Sequence, residues 1–512
     1  MSKGTALGKV LSLEEVRNEV VCCKADGKRV IHCHGVFDLL HIGHIRHFEE
    51  AKRFGDILIV TITPDRFVNK GPHRPAFPED LRAQTIASLG VVDYVAINRW
   101  PTAVETITLI RPDVYCKGGD YRTAQVDASQ NLGPEVEAAN RIGIEVAYTD
   151  DDVIFSSSEL LNQHFSPFDT DTDAWLRNFR SRYSAKDVIK LIDSAQQKRV
   201  LVVGEVILDE YTYCTAMGTS TKDPVLACQY HESESYVGGS LAIANHLSGF
   251  CQDVTVLSYV GDREDQEAFL LESLSENVKS HFVTKDDSPT IVKQRFVDPY
   301  TKTKLLELYR MNDAPLQGEN ERAFTEALKR QLAEHDVVIV ADYGHGLMTG
   351  SSIALLKDYK GFLAVNAQSN AGNRGFNPIS KYPRADYICL AQHEMVMETR
   401  TREASTRDLV TEVSSRIDCD SFTVTLGRLG SLHYSSAEGF VEVPAFATRI
   451  VDRVGAGDGF LALSSLLRSQ GAPWDVVGFV GNVAGAQLVA ELGNRRPLNK
   501  IDTAKHIISL MK

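Results

Sequence analysis

The residues best suited to chemistry fall in two places. The first is His41-Ile42-Gly43-His44, which closes the stretch Gly35-Val36-Phe37-Asp38-Leu39-Leu40. Attack on the α-phosphorus of a nucleoside triphosphate builds charge on equatorial oxygens, and fixed donors placed at that charge supply most of the catalysis. His41 and His44 suit that role. Lys70, in the basic segment Lys70-Gly71-Pro72-His73-Arg74-Pro75, is placed to reach a second phosphate. No side chain has to act as nucleophile, because a phosphate on the acceptor attacks. One histidine at a strand end is ordinary; two in H-x-G-H, with basic loops downstream, point to phosphate. The second place is Gly455-Ala456-Gly457-Asp458. Small residues at a helix start expose consecutive N–H groups that form an anion pocket, and Asp458 can take a proton from an attacking hydroxyl. Gly-Ala-Gly alone often serves only tight packing. What lifts it is the company of Asp209, Gly238-Gly239, Asp342 and Thr425-x-Gly427-x-x-Gly430, in that order.

These groups need elements to hold them. An apolar run over 29–34 reads as a buried strand, and the spacing over 45–54 predicts a helix. H-x-G-H therefore sits at a strand-to-helix turn, where the backbone can approach closely and helix N–H groups favour anions. A helix over 11–25, strands over 56–62, 92–97, 114–117 and 144–148, and helices over 79–89 and 102–110 complete the first part. Such alternation gives a parallel sheet with helices on both faces, a Rossmann-like α/β unit. Ligands in such sheets bind beyond the carboxyl ends of the strands, where His41, Lys70, Lys117 and Ser156 are expected to converge. The acidic, turn-rich piece Ser166-Pro167-Phe168-Asp169-Thr170-Asp171-Thr172-Asp173 marks a boundary. The expected domains are 1–162 and 199–512, joined by a short, partly structured linker over 163–198 with a helix over 185–197. The second unit is again α/β. It opens on a strand over 200–204, and further buried strands are expected near 254–259, 291–296, 305–309, 337–341, 362–366, 387–390 and 422–425.

Composition bounds the function. A chain of 512 residues exceeds one ordinary core, so two or three domains are expected. With 43% hydrophobic and 24% charged residues it has the profile of a soluble globular protein. A formal net charge of -13 argues against general nucleic-acid binding, which needs a basic face, but not against nucleotides. Nine cysteines with no metal-ligand spacing suggest free thiols in a reducing compartment. There is no signal-like segment at the start and no apolar run of membrane-spanning length, so the expected location is cytoplasmic and no membrane partner is expected.

The first half resembles the cytidylyltransferase-like nucleotidyltransferases over about 28–162. The H-x-G-H signature carries the likeness, followed by Lys70-Gly71 with Arg74-Pro75, the Arg82 helix and Lys117-Gly118-Gly119-Asp120-Tyr121. It is most similar to the adenylyltransferase half of the bifunctional heptose-phosphate kinase/adenylyltransferases. The resemblance implies nucleotide or phosphate contacts from Gly35, Phe37, Asp38, Gly43, Arg74, Arg82, Lys117, Gly118 and Asp120. It implies the same of Ser156, Ser157 and Ser158, which stand where the family commonly shows Ser-Thr-Thr.

The second half, over about 199–510, resembles the ribokinase-like (PfkB) sugar kinases, an α/β sandwich with a small β lid. By that resemblance Asp458 is the catalytic base, and Gly455, Ala456 and Gly457 form the anion hole. Asp209, Gly238 and Gly239 hold the sugar. Thr425, Gly427, Gly430 and Asn482 lie near the nucleotide, and Mg²⁺ bridges the phosphates of ATP. Several positions depart from the pattern. Ala242 replaces an asparagine, and Asn366-Ala367-Gln368 stands where Asp-Pro-Lys is common. Cys389-Leu390-Ala391-x-x-Glu394 keeps only the glutamate of Thr-Pro-Asn-x-x-Glu, and Arg453-Val454 replaces a small or hydroxyl pair. The order of the halves is reversed relative to the familiar bifunctional enzymes, which have the kinase first.

Together the resemblances imply a bifunctional enzyme of nucleotide-activated sugar synthesis, of the lipopolysaccharide or cell-surface polysaccharide kind. One half would phosphorylate a sugar phosphate, such as a heptose 7-phosphate, at its anomeric hydroxyl. The other would couple a sugar 1-phosphate to a nucleotide drawn from ATP or CTP and release pyrophosphate. The alternatives are a cytidylyltransferase for another sugar or polyol phosphate fused to a kinase of different specificity, or to a non-catalytic kinase-like module. A homodimer through the kinase lid, around 212–236 and 290–310, is a family expectation.

Overall fold

The computed structural model describes residues 6–68, 75–118, 132–149, 167–263 and 266–512. Contacts divide the chain into two units, Met1–Pro167 and Phe168–Met511. Five short strands build the first: β1 (Val30–Gly35), β2 (Ile57–Ile62), β3 (Tyr94–Ile97), β4 (Val114–Lys117) and β5 (Glu145–Tyr148). They pair in parallel in the order β3-β2-β1-β4-β5. β1 is buried on both faces, because parallel sheets carry helices on both sides, and so its sequence does not alternate. The flanking helix Leu13–Ala25 starts on a reciprocal Ser12–Glu15 capping box and buries Leu13, Val16 and Val20. The helix expected over 45–54 begins earlier, at Ile42, because His41 itself caps it.

In the second unit the helices Thr170–Arg182 and Ala185–Asp193 start on Asp169 and Ser184 caps. They bury Leu176, Phe179, Val188 and Ile192 in the core of this unit, so residues 168–198 are packed structure within it, although their polar composition had suggested a linker. The strands that follow are β6 (Arg199–Gly204), β7 (Val206–Thr219), β8 (Leu226–Gly239), β9 (Asp253–Gly261), β10 (Val278–Lys285), β11 (Ile291–Val297) and β12 (Lys304–Arg310). After them come β13 (Val337–Asp342), β14 (Phe362–Ala367), β15 (Tyr387–Ala391), β16 (Phe422–Thr425), β17 (Ser431–Ser435) and β18 (Gly439–Val443). Nine of these form one sheet, β10-β9-β6-β13-β14-β15-β16-β17-β18, parallel except for the antiparallel pairs at the β17–β18 edge. The other four form a separate small sheet, β12-β11-β7-β8. Its strands extend the two lid segments expected from sequence. Among the described residues no helix is long and apolar enough to cross a membrane.

Candidate active sites

In the first unit the strand order reverses between β1 and β4, and ligands bind beyond the carboxyl ends of strands at such a point. His41 and His44 stand there. His41 has extended dihedrals as the N-cap of helix Ile42–Lys52, and its Nδ1 accepts the Gly43 N–H at 3.1 Å. That bond puts the proton of the neutral ring on Nε2, which makes Nε2 a donor. The His44 ring lies 4.0 Å from that of His41, centroid to centroid, with the edge of Phe37 5.3 Å away on another side. Phe37 takes a left-handed φ of 46°, and a Cβ on Gly35 would lie 2.9 Å from its ring. Gly35 and Phe37 thus shape the turn beneath the histidines. Asp38 is buried and accepts the backbone N–H of Ala76. His32, His34 and His47 play a different part. His32 and His34 share the Thr61 hydroxyl, and burial pushes His34 and His47 down to about 4, so both are neutral scaffold residues.

Lys117, at the end of β4 beside Gly118, reaches Glu135 Oε2 at 2.8 Å and the His34 carbonyl at 3.3 Å. Burial alone would raise the Glu135 carboxyl, but Lys117 and further donors hold it at about 2. The Ala103 N–H and the Tyr115 hydroxyl complete its bonds. Sequence reading missed Glu135, which lies on a helix with no motif around it.

Arg82 is 2% exposed, and its guanidinium donates to the carbonyls of Val36, Phe77 and Thr63 and to Asp65. In this arrangement it braces the loops around H-x-G-H. Arg82→Ala would leave that buried set of acceptors unmet, and is expected to cost about 3 kcal/mol, read as a lower urea midpoint of the full chain. Lys70, Arg74, Asp120, Ser156, Ser157 and Ser158 lie outside the described residues.

In the second unit, Gly455 is the N-cap of helix Ala456–Arg468 at φ 81°. A Cβ there would stand 1.9 Å from Asn494 Oδ1, so both the left-handed backbone and the close approach require glycine. Asp458 lies in the first turn of that helix and accepts the Tyr343 hydroxyl on Oδ1 at 2.9 Å. Burial pushes its carboxyl up to about 7; Tyr343 and Lys293 pull it down, while Asp209 and Glu394 push it further up. Gly457, Asp458, Thr425, Glu394, Asn366 and Gln368 line one cleft with about 470 Å³ of empty space, at the carboxyl ends of β14, β15 and β16. Glu394 accepts the N–H groups of Ala391 and Ser369, and burial raises it to about 7 as well.

Asp209 sits on the inner face of the small sheet, paired with Arg295 on β11. A Cβ on Gly238 would meet Asp209 Oδ2 at 2.3 Å, so Gly238 makes room for the carboxylate, while one on Gly239 would meet the Glu205 backbone carbonyl at 2.4 Å. Lys293 is opposite Asp209 in register and is buried, its Nζ 5.4 Å above the Tyr309 ring and 5.9 Å above that of Tyr343. Burial lowers its pKa. Sequence reading missed Lys293 and Tyr343. The signal for Lys293 was a cation inside the apolar run Ile291-Val292-Lys293. Asp452, just before the anion turn, binds Lys304 at 2.8 Å and the Tyr211 hydroxyl at 2.9 Å, which ties β12 and β7 to the helix start.

Asn482 lies beside the start of β17, next to the turn that carries Gly427 and Gly430. It is buried on helix Trp474–Val489 and donates to the Ser431 hydroxyl at 3.0 Å and the Val443 carbonyl at 3.2 Å. Gly427 and Gly430 bound the short turn between β16 and β17, both with positive φ.

This fold and these sites define a sugar-kinase unit preceded by a nucleotidyltransferase-like unit. Residues 197–501 match the family of pfkB carbohydrate kinases, and residues 32–163 match the cytidylyltransferase-like family. The chain belongs to the pfkB family of carbohydrate kinases. The matches establish the order of the units along this chain, and the expected reversal relative to bifunctional relatives is not upheld by them. Among similar proteins is the bifunctional protein HldE of Syntrophotalea carbinolica, 37% identical over 134 residues, 25% of this chain and 27% of that protein. Another is the bifunctional protein HldE of Bradyrhizobium diazoefficiens, 26% identical over 312 residues, 60% of this chain and 62% of that protein. The chain thus spans about a quarter of the first and less than two thirds of the second. The phosphofructokinase-2 of Escherichia coli in complex with potassium is similar in structure, with a TM-score of 0.51 at 17% identity over 62% of this chain and all of that one. So is the ribokinase of Giardia lamblia, with a TM-score of 0.50 at 16% identity over 60% of this chain and 98% of that one. Both support the fold of the second unit.

Proposed function

We propose that the chain is a bifunctional enzyme of nucleotide-activated sugar synthesis. Its second unit phosphorylates a sugar phosphate, of the heptose 7-phosphate class, at the anomeric hydroxyl with ATP. Its first unit transfers a nucleotidyl group to a sugar 1-phosphate, giving an ADP-heptose type of product and pyrophosphate. The observation that carries the reading is Asp458 in the first turn of a helix that opens on left-handed Gly455, in one cleft with Thr425 and Glu394.

In the kinase unit, Asp458 takes the proton as the sugar oxygen attacks the γ-phosphorus and ADP leaves. The N–H groups of the Gly455–Asp458 turn meet the charge on the transferring phosphoryl oxygens. Asp209 and its glycine pair stand on the sugar side. A Mg²⁺ carried in with ATP would be held on the protein side by Glu394, which lines the cleft; such an ion takes one or two carboxylates with phosphate oxygens and water. It would neutralise phosphate charge. In the nucleotidyltransferase unit, a phosphate oxygen of the acceptor attacks the α-phosphorus. The donors on His41 and His44, with Lys117 nearby at the strand ends, meet the charge that develops.

Nine free cysteines, most of them buried, suit the reducing cytoplasm we assign to it. The face of the small sheet opposite Glu307 and Tyr309 exposes Leu306 and Leu308, and we read it as the surface through which two copies pair.

The test is direct. ADP release from Mg-ATP is measured with a panel of sugar phosphates, and pyrophosphate release is measured with ATP and with CTP against several sugar 1-phosphates. ADP release with a heptose 7-phosphate, and pyrophosphate release from ATP, are the expected results. A preference for CTP or for another sugar would reassign the substrates. Absence of ADP release with every sugar would reduce the second unit to a non-catalytic module.

A further inference from the structure

The segment 366–377 begins with Asn366-Ala367-Gln368, where resembling sugar kinases commonly carry Asp-Pro-Lys, and continues with three further asparagines. Those asparagines grip the loop that follows β13. Asn370 Nδ2 donates to the Tyr343 carbonyl at 2.7 Å, and Asn373 Nδ2 donates to the same oxygen at 2.9 Å. Asn377 Nδ2 donates to the neighbouring Asp342 carbonyl at 3.0 Å. From the other side the buried Glu205 accepts the N–H of Tyr343 at 2.9 Å and that of His345 at 2.9 Å. Both backbone polar groups of Tyr343 are therefore tied to side chains of other segments. Its ring is buried, and its hydroxyl ends 2.9 Å from Asp458 Oδ1. A tyrosine has two side-chain torsions, so a fixed backbone and a packed ring leave its hydroxyl little choice of place.

We propose that Tyr343 is a positioning residue of the kinase unit, holding Asp458 in the orientation that accepts the sugar proton, and that asparagines 370, 373 and 377 are the clamp that fixes Tyr343. The inference rests on the kinase reading above. A hydroxyl that donates to a carboxylate stabilises its charged form. The other groups facing Asp458 divide: Asp209 and Glu394 favour the protonated acid, as burial does, while Lys293 favours the carboxylate. Tyr343 is the neutral member that both orients the group and opposes burial. During transfer one Asp458 oxygen keeps the Tyr343 bond while the carboxylate takes the hydroxyl proton.

Tyr343→Phe keeps the ring and removes only the hydroxyl. In the full chain the acid limb of its kinase pH–rate profile is expected to move up by about one pH unit, the scale of one lost hydrogen bond to a carboxylate. Activity lost at pH 7 should then return as the pH rises to about 9, with KM for Mg-ATP unchanged. Asn370→Ala with Asn373→Ala, which leaves the hydroxyl in place but loosens it, should lower kcat about tenfold across the profile. A second readout does not depend on turnover. Carboxyl ¹³C NMR of aspartate-labelled protein, with Asp458→Asn to assign the resonance, should show Asp458 titrating higher in Tyr343→Phe than in the wild type. Equal titration in the two proteins, or a loss that is uniform in pH for Tyr343→Phe, overturns the positioning role. A wild type that turns over no sugar overturns the kinase reading instead, and the NMR comparison still decides whether Tyr343 acts on Asp458.

Discussion

Asp458→Asn is expected to lower ADP release from Mg-ATP with the sugar acceptor about a thousandfold, the scale of a lost general base. The amide keeps the shape of the carboxylate and can still receive the Tyr343 hydroxyl, so the fold and the cleft survive the change. What is lost is the ability to take a proton. The wild-type profile should carry the same signature. With the carboxyl raised to about 7, the base is progressively protonated below neutral pH, so kcat/KM for the sugar should fall about tenfold per unit as pH drops beneath that value. The direction follows from the sign of the shift: burial favours the neutral acid, and only the ionised form can act. A variant that keeps wild-type turnover would remove Asp458 from the reaction. Pyrophosphate release by the same variant should be unchanged, because that chemistry belongs to the other unit.

The second large effect concerns the first unit. His44→Ala is expected to slow pyrophosphate release by about 10²–10³-fold, the scale of one donor lost from a preorganised anion site. His41→Ala should be comparably slow and also less stable, since the same ring caps helix Ile42–Lys52 through Gly43; a lost cap costs about 1 kcal/mol. The two variants therefore separate by thermal or urea melting even if their rates agree. His47→Ala provides the contrast. His47 is buried against the Thr149 hydroxyl and held neutral, so its loss should be felt mainly in stability. If His44→Ala retained the wild-type rate, the phosphate site would lie elsewhere.

Much of this was legible in the chain itself. H-x-G-H and Gly-Ala-Gly-Asp are local devices: a helix start needs only a few consecutive residues to present N–H groups, so short motifs report them faithfully. The alternation of strand and helix that announced two α/β units is likewise local. The polar composition over 168–198 misled because the few apolar positions there, among them Leu176, Phe179, Val188 and Ile192, are spaced for helices that bury one face. The strands β10, β17 and β18 were not expected, and β8 was foreseen only as part of the lid segment around 212–236. β8 is largely exposed and polar along most of its length, which hides a strand from any pattern based on burial.

The sequence by itself determined which reactive groups stand at helix starts, because turn geometry there is set by neighbours in the chain. Only the tertiary structure decided how those groups behave. Arg82 braces loop carbonyls, Asn482 bonds Ser431 and Val443 within the core, and Asp458 meets Tyr343, a residue more than a hundred positions away. Hydrogen-bond partners, burial and the resulting shift of a carboxyl depend on which segments meet in space, and the asparagines that clamp Tyr343 acquire their role only through that meeting.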